Sequence, residues 1–383
     1  MGVSIDQDRN APSGPSIFRF GDPFASKASS MSIHSSTWLL YGATGYTGQL
    51  IAAEAVRRGH RPVLAGRNRQ KLEPLGQSLG CPTRVFALDR PAHIASQLAG
   101  LRAVLHCAGP FSATAAPMRE ACLMARVDYL DLTGEIDVIE ATAAEHDRAA
   151  AAGVRLVPAV GFDVVPSDCL AALLARRLPG ATRLQLAFTF TGTMSPGTAK
   201  TTLEAIPRGG RVRIRGQLRT VPHAWKMLTI PFPDGSQPAI TVPWGDVATA
   251  WYSTGIPNIE VYVAASQAAI RCIRCARPLW NAFRWPVVQR VGRWAIERFW
   301  RGPSPEEQQS STAAFWGRVT DAQGRALQAT LKTPGGYPMT VWAALTALER
   351  TLQGGIPPGF TTPSRAFGPE LIFEHPQAEF RWM

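Results

Sequence analysis

The sequence predicts an α/β fold in which a doubly wound parallel sheet is followed by a mixed α+β domain. Three observations support this prediction. Between Thr37 and Pro166, short apolar runs alternate with segments of helical periodicity, which is the pattern of a parallel sheet covered on both faces. Beyond Pro166, the strand-like runs are longer and are separated by Pro and Gly turns. A chain of 383 residues is also long enough for two domains.

Six strands and the helices between them make up the predicted parallel sheet. The strands are expected at Trp38–Tyr41, Pro62–Ala65, Arg84–Leu88, Ala103–Cys107, Tyr129–Leu132 and Arg155–Val157. Apolar residues at helical spacing predict helices over Tyr46–Arg58 and Ile136–Ala152, which stop at Gly59 and Gly153. These elements make a complete doubly wound domain over residues 37–166.

The second domain is predicted over residues 167–336. Its strands are expected at Thr182–Thr191, Arg211–Val221 and Ile259–Ala265. Apolar residues at helical spacing then run from Tyr337 to Leu352, just before Gly354. Because the last helix of many two-domain folds of this kind returns to the first domain, residues 337–383 are expected to pack back on it.

The first 36 residues differ from the rest of the chain. They are rich in Ser, Pro, Gly and charged residues and have no sustained periodicity. Residues 1–36 are therefore predicted to be a disordered leader. Met31 lies just before the first strand and is a candidate for the true start.

Composition and charge limit the kinds of partner. The formal net charge of +12 and the isoelectric point near 10.0 favour anionic partners, namely a phosphorylated cofactor, an acyl thioester carrier, an anionic membrane surface or nucleic acid. The chain has no Lys/Arg-rich run, which argues against a nucleic-acid arm. No apolar run reaches about 18 residues, which excludes a transmembrane helix.

The six cysteines indicate a reducing compartment. They are scattered through apolar segments and no secretory signal precedes them, so reduced thiols and a cytoplasmic location are expected. Cys272 and Cys275 form a C-x2-C pair, but neither a second pair nor a suitably spaced His accompanies it. No metal site is therefore predicted.

A glycine-rich loop follows the first strand and opens the first helix. Its sequence GATGYTG, residues 42–48, has the G-x-x-G-x-x-G spacing and the strand–turn–helix context of a dinucleotide-binding (Rossmann) fold. The three glycines permit the tight turn, the close approach to a pyrophosphate and the packing of helix on strand, and the helix start supplies N–H groups and partial positive charge. The predicted cofactor contacts here are Gly42, Thr44, Gly45, Tyr46, Thr47 and Gly48.

The residues at the end of the second strand distinguish NAD from NADP in folds of this kind. An acid at this position would accept a hydrogen bond from the ribose 2′-hydroxyl of NAD, whereas a cation would pair with the 2′-phosphate of NADP. The segment 65–69 reads AGRNR and contains no acid. Arg67 is therefore predicted to bind the phosphate, with help from Asn68 or Arg69, and the cofactor is predicted to be NADPH.

The ends of the third and fourth strands complete the predicted cofactor site. Asp89 is expected to meet the adenine edge. The small-residue turn after the fourth strand is expected to pass the ribose and nicotinamide, and its contacts are Cys107, Ala108, Gly109 and Pro110. His106 and Cys107 belong to an apolar strand, so packing explains them better than a role as nucleophile or metal ligand.

Five motifs in order carry a family resemblance: GATGYTG, AGRNRQKL, HCAGPF, DYLDLTGE and VGFDVVPSD. With them the chain resembles the saccharopine dehydrogenase-like NADP-binding oxidoreductases, closest to the branch that includes the trans-acting enoyl reductases. The resemblance is dense from Trp38 to about Leu173 and thinner beyond. It implies an NADPH-dependent reductase acting on the C=C (enoyl) bond of a bulky apolar, lipid or polyketide-type acyl substrate. A C=N (imine, saccharopine-type) reductase and a non-catalytic NADP-binding sensor are the alternatives.

Two further strand-end loops are expected to face the nicotinamide, DLTGE at 131–135 and AVGFD at 159–163. Thr133 and Asp163 are candidates for positioning the substrate, and Glu135 or Asp163 for relaying a proton. Alternatively, Thr133, Glu135 and Asp137 cap the helix that follows. None of the tyrosines has a Lys four positions later, so the Tyr-x3-Lys chemistry of the short-chain dehydrogenases is absent.

Residues 271–301 form a basic aromatic segment with eight Arg, one acid and six aromatic residues. From Pro286 a helix is predicted whose apolar face is interrupted by Arg298 and whose middle is weakened by Gly292. The residues of that face are Val287, Val288, Val291, Trp294, Ala295 and Phe299. Three interpretations stay open: peripheral contact with an anionic membrane or lipid, burial against the second domain, and a homodimer contact.

Overall fold

The computed structural model of the chain describes residues 38–192, 196–276, 280, 282–283, 285–300, 307 and 310–383. The predicted leader, 1–36, lies outside the described residues. The described residues form a parallel sheet flanked by helices and a mixed sheet, which confirms the predicted fold class.

Sheet A is parallel, with seven strands among the described residues in the order β15-β6-β5-β4-β1-β2-β3. Its strands are β1 (Trp38–Tyr41), β2 (Val63–Gly66), β3 (Thr83–Val85), β4 (Ala103–His106), β5 (Asp128–Asp131), β6 (Arg155–Val157) and β15 (Gly359–Phe360). The central strands β1 and β4 are buried along their whole length, because helices cover both faces of the sheet. They therefore read as continuous apolar runs.

Six helices connect the strands of sheet A up to β6. They are α1 (Tyr46–Arg57), α2 (Arg69–Leu79), α3 (Pro91–Gln97), α4 (Phe111–Ala125), α5 (Ile136–Ala143) and α6 (His146–Ala152). Two buried clusters lie on either side of the sheet, one around Leu40, Leu105 and Leu130 and the other around Leu39, Val104 and Tyr129. Successive residues of each strand belong alternately to the two clusters, because side chains of a β-strand point to opposite faces of the sheet with a period of two residues.

Sheet B is mixed, and β7 lies at its centre. Its strands are β7 (Ala181–Phe190), β8 (Gly210–Ile214), β9 (Gln217–Val221), β10 (Met227–Phe232), β11 (Gly235–Thr241), β12 (Asn258–Ala264), β13 (Thr312–Asp321), β14 (Ala326–Pro334) and β16 (Glu379–Trp382). The main order is β10-β11-β12-β7-β13-β14-β16, and β8 pairs with β12 and β9. Strand β7 runs parallel to β12 and antiparallel to β13.

One helix joins the two sheets, and further helices follow it in the described part of the chain. They are α7 (Val165–Arg177), α8 (Pro196–Ala205), α9 (Asp246–Thr254), α10 (Gln267–Cys275), α11 (Pro286–Phe299), α12 (Gly336–Gln353) and α13 (Pro363–Phe367). Helix α7 follows β6 directly and packs on sheet B, where a Cβ on Gly317 of β13 would lie 2.5 Å from Leu174 Cδ1. The glycine lets the helix approach the sheet closely.

The C-terminal segment contributes to both sheets. Helix α12 packs on α1 and β4, β15 pairs with β6, and β16 pairs with β14. The segment that the sequence predicts to return to the first domain thus also completes an edge of the second sheet.

Three predicted elements differ from the structure. The helix expected over Ile136–Ala152 is two helices, because the buried hydroxyl of Thr142 donates to Val138 O at 2.7 Å and accepts from Arg119 at 3.1 Å, and back-bonding of this kind bends helices. The strand expected over Arg211–Val221 is the hairpin β8–β9, with positive φ at its turn residues Arg215 and Gly216.

The third difference concerns strand β3. It ends at Val85, short of the predicted Leu88. The carbonyl of the next residue, Phe86, accepts a hydrogen bond from the Tyr41 hydroxyl at 3.0 Å. The chain leaves the sheet there, so Asp89 lies in a turn beyond the strand.

Candidate cofactor and substrate site

The glycine loop lies between the ends of β1 and β4, where the strand order of sheet A reverses. Such a reversal is where open α/β sheets bind ligands. Gly42 has φ of 84°, and a Cβ on it would lie 2.9 Å from Ala108 N. A Cβ on Gly48 would lie 2.2 Å from Gly42 O. Both positions therefore require glycine, one for the turn and the other for the packing of helix on loop.

The start of α1 carries donors that fit a phosphate. The helix begins at Tyr46, after Gly45, with neither a side-chain cap nor an acid in its first turn. The hydroxyls of Thr44 and Thr47 bond to no described residue. N–H groups, hydroxyls and the positive end of the helix dipole suit a pyrophosphate, so the residues present fit a dinucleotide.

The residues after β2 differ in what they already bind. Asn68 Oδ1 accepts from Lys71 N at 3.1 Å and so caps α2. Arg69 pairs with Glu73 at 2.5 Å. Arg67 is exposed and pairs with no acid in the described part of the chain. Its guanidinium is therefore available for a 2′-phosphate.

Asp89 lies in an exposed turn after β3, where its Oδ1 accepts from Arg90 N at 2.8 Å. Burial raises the pKa of Tyr41 to about 12; Arg67 opposes this shift, whereas Asp89 adds to it. Arg67 directly follows β2 and Asp89 comes shortly after the neighbouring parallel strand β3, so both residues lie at the carboxyl edge of sheet A. The structure thus brings these two predicted cofactor residues together.

The turn after β4 passes directly beside the glycine loop. Its residues are Cys107, Ala108, Gly109 and Pro110. Thr114 Oγ1 holds the turn by donating to Ala108 O at 2.6 Å and lies 3.1 Å from His106 Nε2. Burial lowers the pKa of His106 to about 3 and raises the pKa of the Cys107 thiol. The imidazole is thus neutral and the thiol protonated at neutral pH, as suits packing residues.

Asp131, the last residue of β5, is a buried carboxylate that holds two site loops. Its Oδ1 accepts from Thr133 N and Ala159 N, both at 2.9 Å, and its Oδ2 accepts from the Tyr129 hydroxyl at 2.7 Å. Ala159 has φ of 62°, a strained value for a residue with a Cβ. Sequence analysis missed this role, although an acid directly after the apolar pair Tyr129 and Leu130 was a signal for it.

The side chain of Glu135 caps helix α4, whereas the sequence suggested that it caps α5. Its carboxylate accepts from Phe111 N at 2.8 Å and Ser112 N at 3.1 Å, which are the first two N–H groups of α4. It does not cap α5 through its side chain. Thr133 is buried, and its Oγ1 accepts from Glu135 N at 3.1 Å. Both side chains shape the loops of the site, and the carboxylate of Glu135 is already engaged.

Asp163 differs from Glu135 because its carboxylate bonds to no described residue. It is partly buried at the end of the loop after β6, and a Cβ on Gly134 would lie 3.0 Å from its Oδ2. Burial raises the pKa of Asp163 to about 6. Among the three predicted catalytic residues, it has both a free carboxyl and a pKa suited to giving a proton near neutral pH.

The start of α9 brings sheet B to these loops. A Cβ on Gly245 would lie 2.8 Å from Val164 Cγ2 and 3.3 Å from Gly134 O. Asp246 is fully buried and accepts from Ser167 Oγ at 2.9 Å, but its Oδ1 has no partner among the described residues. Burial raises the pKa of Asp246 well above its usual range. Sequence analysis did not single out this second buried acid, because no motif surrounds it.

An aromatic surface of sheet B leads away from Asp163. Trp244 Nε1 donates to the Asp163 carbonyl at 2.5 Å. The Trp244 ring lies 4.5 Å from Phe188, which stacks at 6.3 Å on Phe190. Phe190 is 37% exposed. On the other side, Phe162 lies 5.6 Å from Phe315, so aromatic residues precede Asp163 in the chain and hold its backbone carbonyl.

Residues 38–157 match the family model of the saccharopine dehydrogenase NADP binding domain. This range coincides with β1 to β6 of sheet A. The chain therefore carries a saccharopine dehydrogenase NADP-binding domain, and the loop geometry and Arg67 lie within it. NADP(H) is the cofactor that this domain binds.

The curated relatives cover part of the chain. A Mycobacterium tuberculosis protein provisionally named a trans-acting enoyl reductase is 34% identical over 182 residues, 44% of this chain and 43% of its own length. A Mycobacterium ulcerans protein named trans-acting enoyl reductase is 35% identical over 147 residues, 36% of this chain and 35% of its own length. The chain thus matches less than half of the length of these relatives.

A solved structure extends the likeness to the whole fold. The apo form of saccharopine dehydrogenase (L-Glu forming) from Saccharomyces cerevisiae aligns with a TM-score of 0.64 at 11% identity, over 91% of this chain and 100% of that chain. The likeness of fold therefore extends over both sheets of this chain. No helix in the described part of the chain has the length and apolar composition needed to cross a bilayer.

Proposed function

We propose that this chain, which carries the NADP-binding domain of the saccharopine dehydrogenases, is an NADPH-dependent reductase of the C=C bond of a bulky apolar enoyl thioester. The single observation that carries the proposal is the free, partly buried carboxyl of Asp163 at the carboxyl edge of sheet A, on a residue whose carbonyl accepts from the ring of Trp244. The names of the two mycobacterial relatives support the enoyl substrate.

The chemistry divides between the cofactor and the chain. When bound, NADPH supplies a hydride, which goes to the β-carbon of the conjugated bond. The α-carbon then takes a proton, and we assign that proton to the Asp163 carboxyl. With a pKa near 6, this group is protonated often enough at neutral pH to act as an acid and regains its proton from water.

The other residues orient and shield the reactants. Asp131 holds the loops of Thr133 and Ala159 in place, and Glu135 fixes the turn at the start of α4. The partly buried Trp244 ring and the exposed Phe190 ring, joined by the buried Phe188, would give an apolar acyl chain a surface to lie on and would exclude water there. Orientation and water exclusion are what a hydride transfer requires from the protein.

The test is a comparison of substrates with the purified full-length chain. NADPH consumption is followed with a long-chain trans-2-enoyl thioester and, separately, with a cyclic imine. We expect turnover of the thioester and a loss of at least about 100-fold in kcat for Asp163→Asn, with Asp147→Asn, an exposed acid on α6, as the matched control.

Three results would contradict the proposal in different ways. Turnover of the imine alone would assign the site to C=N reduction. NADPH binding without turnover of either substrate would indicate a sensor. An Asp163→Asn variant as active as Asp147→Asn would remove Asp163 from the proton step.

A further inference from the structure

Exposed apolar side chains are concentrated on and beside helix α11. Six of the thirteen large hydrophobic side chains that are exposed among the described residues lie within 285–300. They are Trp285, Val287, Val291, Trp294, Phe299 and Trp300. A protein surface seldom gathers this much apolar area in one place without a partner.

The opposite side of α11 is fixed to α8. A Cβ on Gly292 would lie 2.6 Å from Leu203 Cδ2, and Gln289 Nε2 donates to Leu203 O at 3.1 Å. Lys200 pairs with Glu297 at 2.7 Å. The glycine that the sequence predicts to weaken the helix therefore permits its close packing on α8. These contacts leave the other side of α11 facing outward.

We call that side the α11 outer face. It is formed by Val287, Arg290, Val291, Trp294 and Arg298, which lie within about 100° of one another around the helix at 100° per residue. The three apolar members are exposed by 57 to 64%. Trp294 also packs edge-on against Phe299 at 5.8 Å.

The charge of the α11 outer face is positive. Arg290 and Arg298 are exposed and pair with no acid among the described residues. Glu297, the acid of α11, is already paired with Lys200. Arg271 and Arg274 on the neighbouring α10 are also exposed, and α10 contains no acid.

From this geometry we propose that the α11 outer face docks on the surface of an anionic lipid bilayer. Trp and Val side chains would enter the headgroup region, while the Arg side chains would lie along it and reach the phosphates. A bilayer matches the face in two ways, because it offers apolar depth and negative charge together. The net charge of +12 adds long-range attraction. Docking of this kind does not depend on the reductase activity.

The experiment is co-flotation of the full-length chain with vesicles. We expect binding to vesicles of phosphatidylglycerol and phosphatidylcholine, weaker binding to phosphatidylcholine alone, and weaker binding as salt is added. Trp294→Glu is expected to lower the partition coefficient at least about tenfold, and Arg298→Glu by several-fold. Met124→Glu, which places the same charge on an exposed apolar site of α4, is the matched control.

Three outcomes would overturn the proposal. The first is that the wild-type chain fails to float with anionic vesicles, and the second is that Trp294→Glu floats as well as Met124→Glu. The third is that the wild type is a dimer by analytical ultracentrifugation and Trp294→Glu a monomer, which would make the face a contact between two copies. Circular dichroism of each variant checks that a loss of flotation does not come from unfolding.

Discussion

At the scale of single residues, we expect Arg67 to determine which dinucleotide is preferred. Replacing it with Ala removes the unpaired guanidinium at the end of β2. A charge-assisted hydrogen bond contributes about 1.5–3 kcal/mol, so we expect NADPH to bind about 10- to 100-fold more weakly. NADH affinity should change little. Fluorescence titration of bound NADPH and NADH measures both.

The control for this variant is Arg57→Ala. It removes an equal charge from the same domain, at a side chain paired with Glu54. An equal affinity of the wild-type protein for NADH and NADPH would contradict the assignment of Arg67. So would a similar loss for both nucleotides in Arg67→Ala.

The raised pKa of Asp163 predicts how activity varies with pH. The acid form is needed, so kcat should be level below about pH 6 and fall about tenfold per pH unit above it. A kcat that rises with pH through this range would contradict the role of Asp163 as an acid. Steady-state kinetics at saturating substrate give the profile.

The same pKa also predicts a change in stability. Because the folded pKa is above the unfolded value of 3.8, this carboxyl favours folding most below the unfolded pKa and loses that contribution as pH rises through about 6. Asp163→Asn should therefore raise the free energy of unfolding by about 1–2 kcal/mol at pH 8 and leave it unchanged at pH 3. Urea denaturation at both pH values measures it. A destabilised variant at pH 8 would show that the carboxylate is structurally required.

At the scale of elements, Glu135 should stabilise α4 and contribute little to the proton step. Glu135→Ala leaves two N–H groups at the start of α4 without their acceptor, which should lower the free energy of unfolding by about 1 kcal/mol. Asp147→Ala is the control on a neighbouring helix. Unchanged stability would mean that the cap contributes little.

Helices and strands were predicted well from the sequence where the spacing of apolar residues was clear. Strand β1 was predicted over its observed range, since Trp38–Tyr41 is a short apolar run that directly precedes the glycine loop. The break between α5 and α6 was not predictable, because it depends on the hydrogen bond from Arg119 to Thr142 across two helices. Likewise, the acceptor role of Glu135 toward α4 depends on residues 23 and 24 positions away.

At the scale of the whole molecule, Gly245 controls how closely α9 approaches the loops of sheet A. Gly245→Ala would place a Cβ 2.8 Å from Val164 and 3.3 Å from Gly134 O. Overpacking of this kind costs about 1–3 kcal/mol, so we expect a lower unfolding temperature and weaker reductase activity. Differential scanning calorimetry measures the first. Gly336→Ala, whose Cβ would have its nearest contact at 3.6 Å, is the control and should unfold as the wild type does.

The cofactor half of the site was predictable and the substrate half was not. The glycine loop and Arg67 are local in sequence, and each follows a recognisable strand. By contrast, Asp163 is bordered by Trp244 and Asp246, which come from another part of the chain and carry no motif. Sequence spacing contains no information on contacts that only the packing of sheet B against sheet A creates.

The edge strand β15 has a consequence for how the protein is made. It pairs with β6, and Arg155 Nε donates to Ile356 O, 201 positions along the chain. During synthesis the edge of β6 therefore stays unpaired until residues 356–360, about 200 positions later, have left the ribosome. Premature release would leave a cofactor domain with an open, aggregation-prone edge. A chain truncated after residue 166 would have the same defect, whereas supplying residues 356–360 in trans would give β6 a strand to pair with.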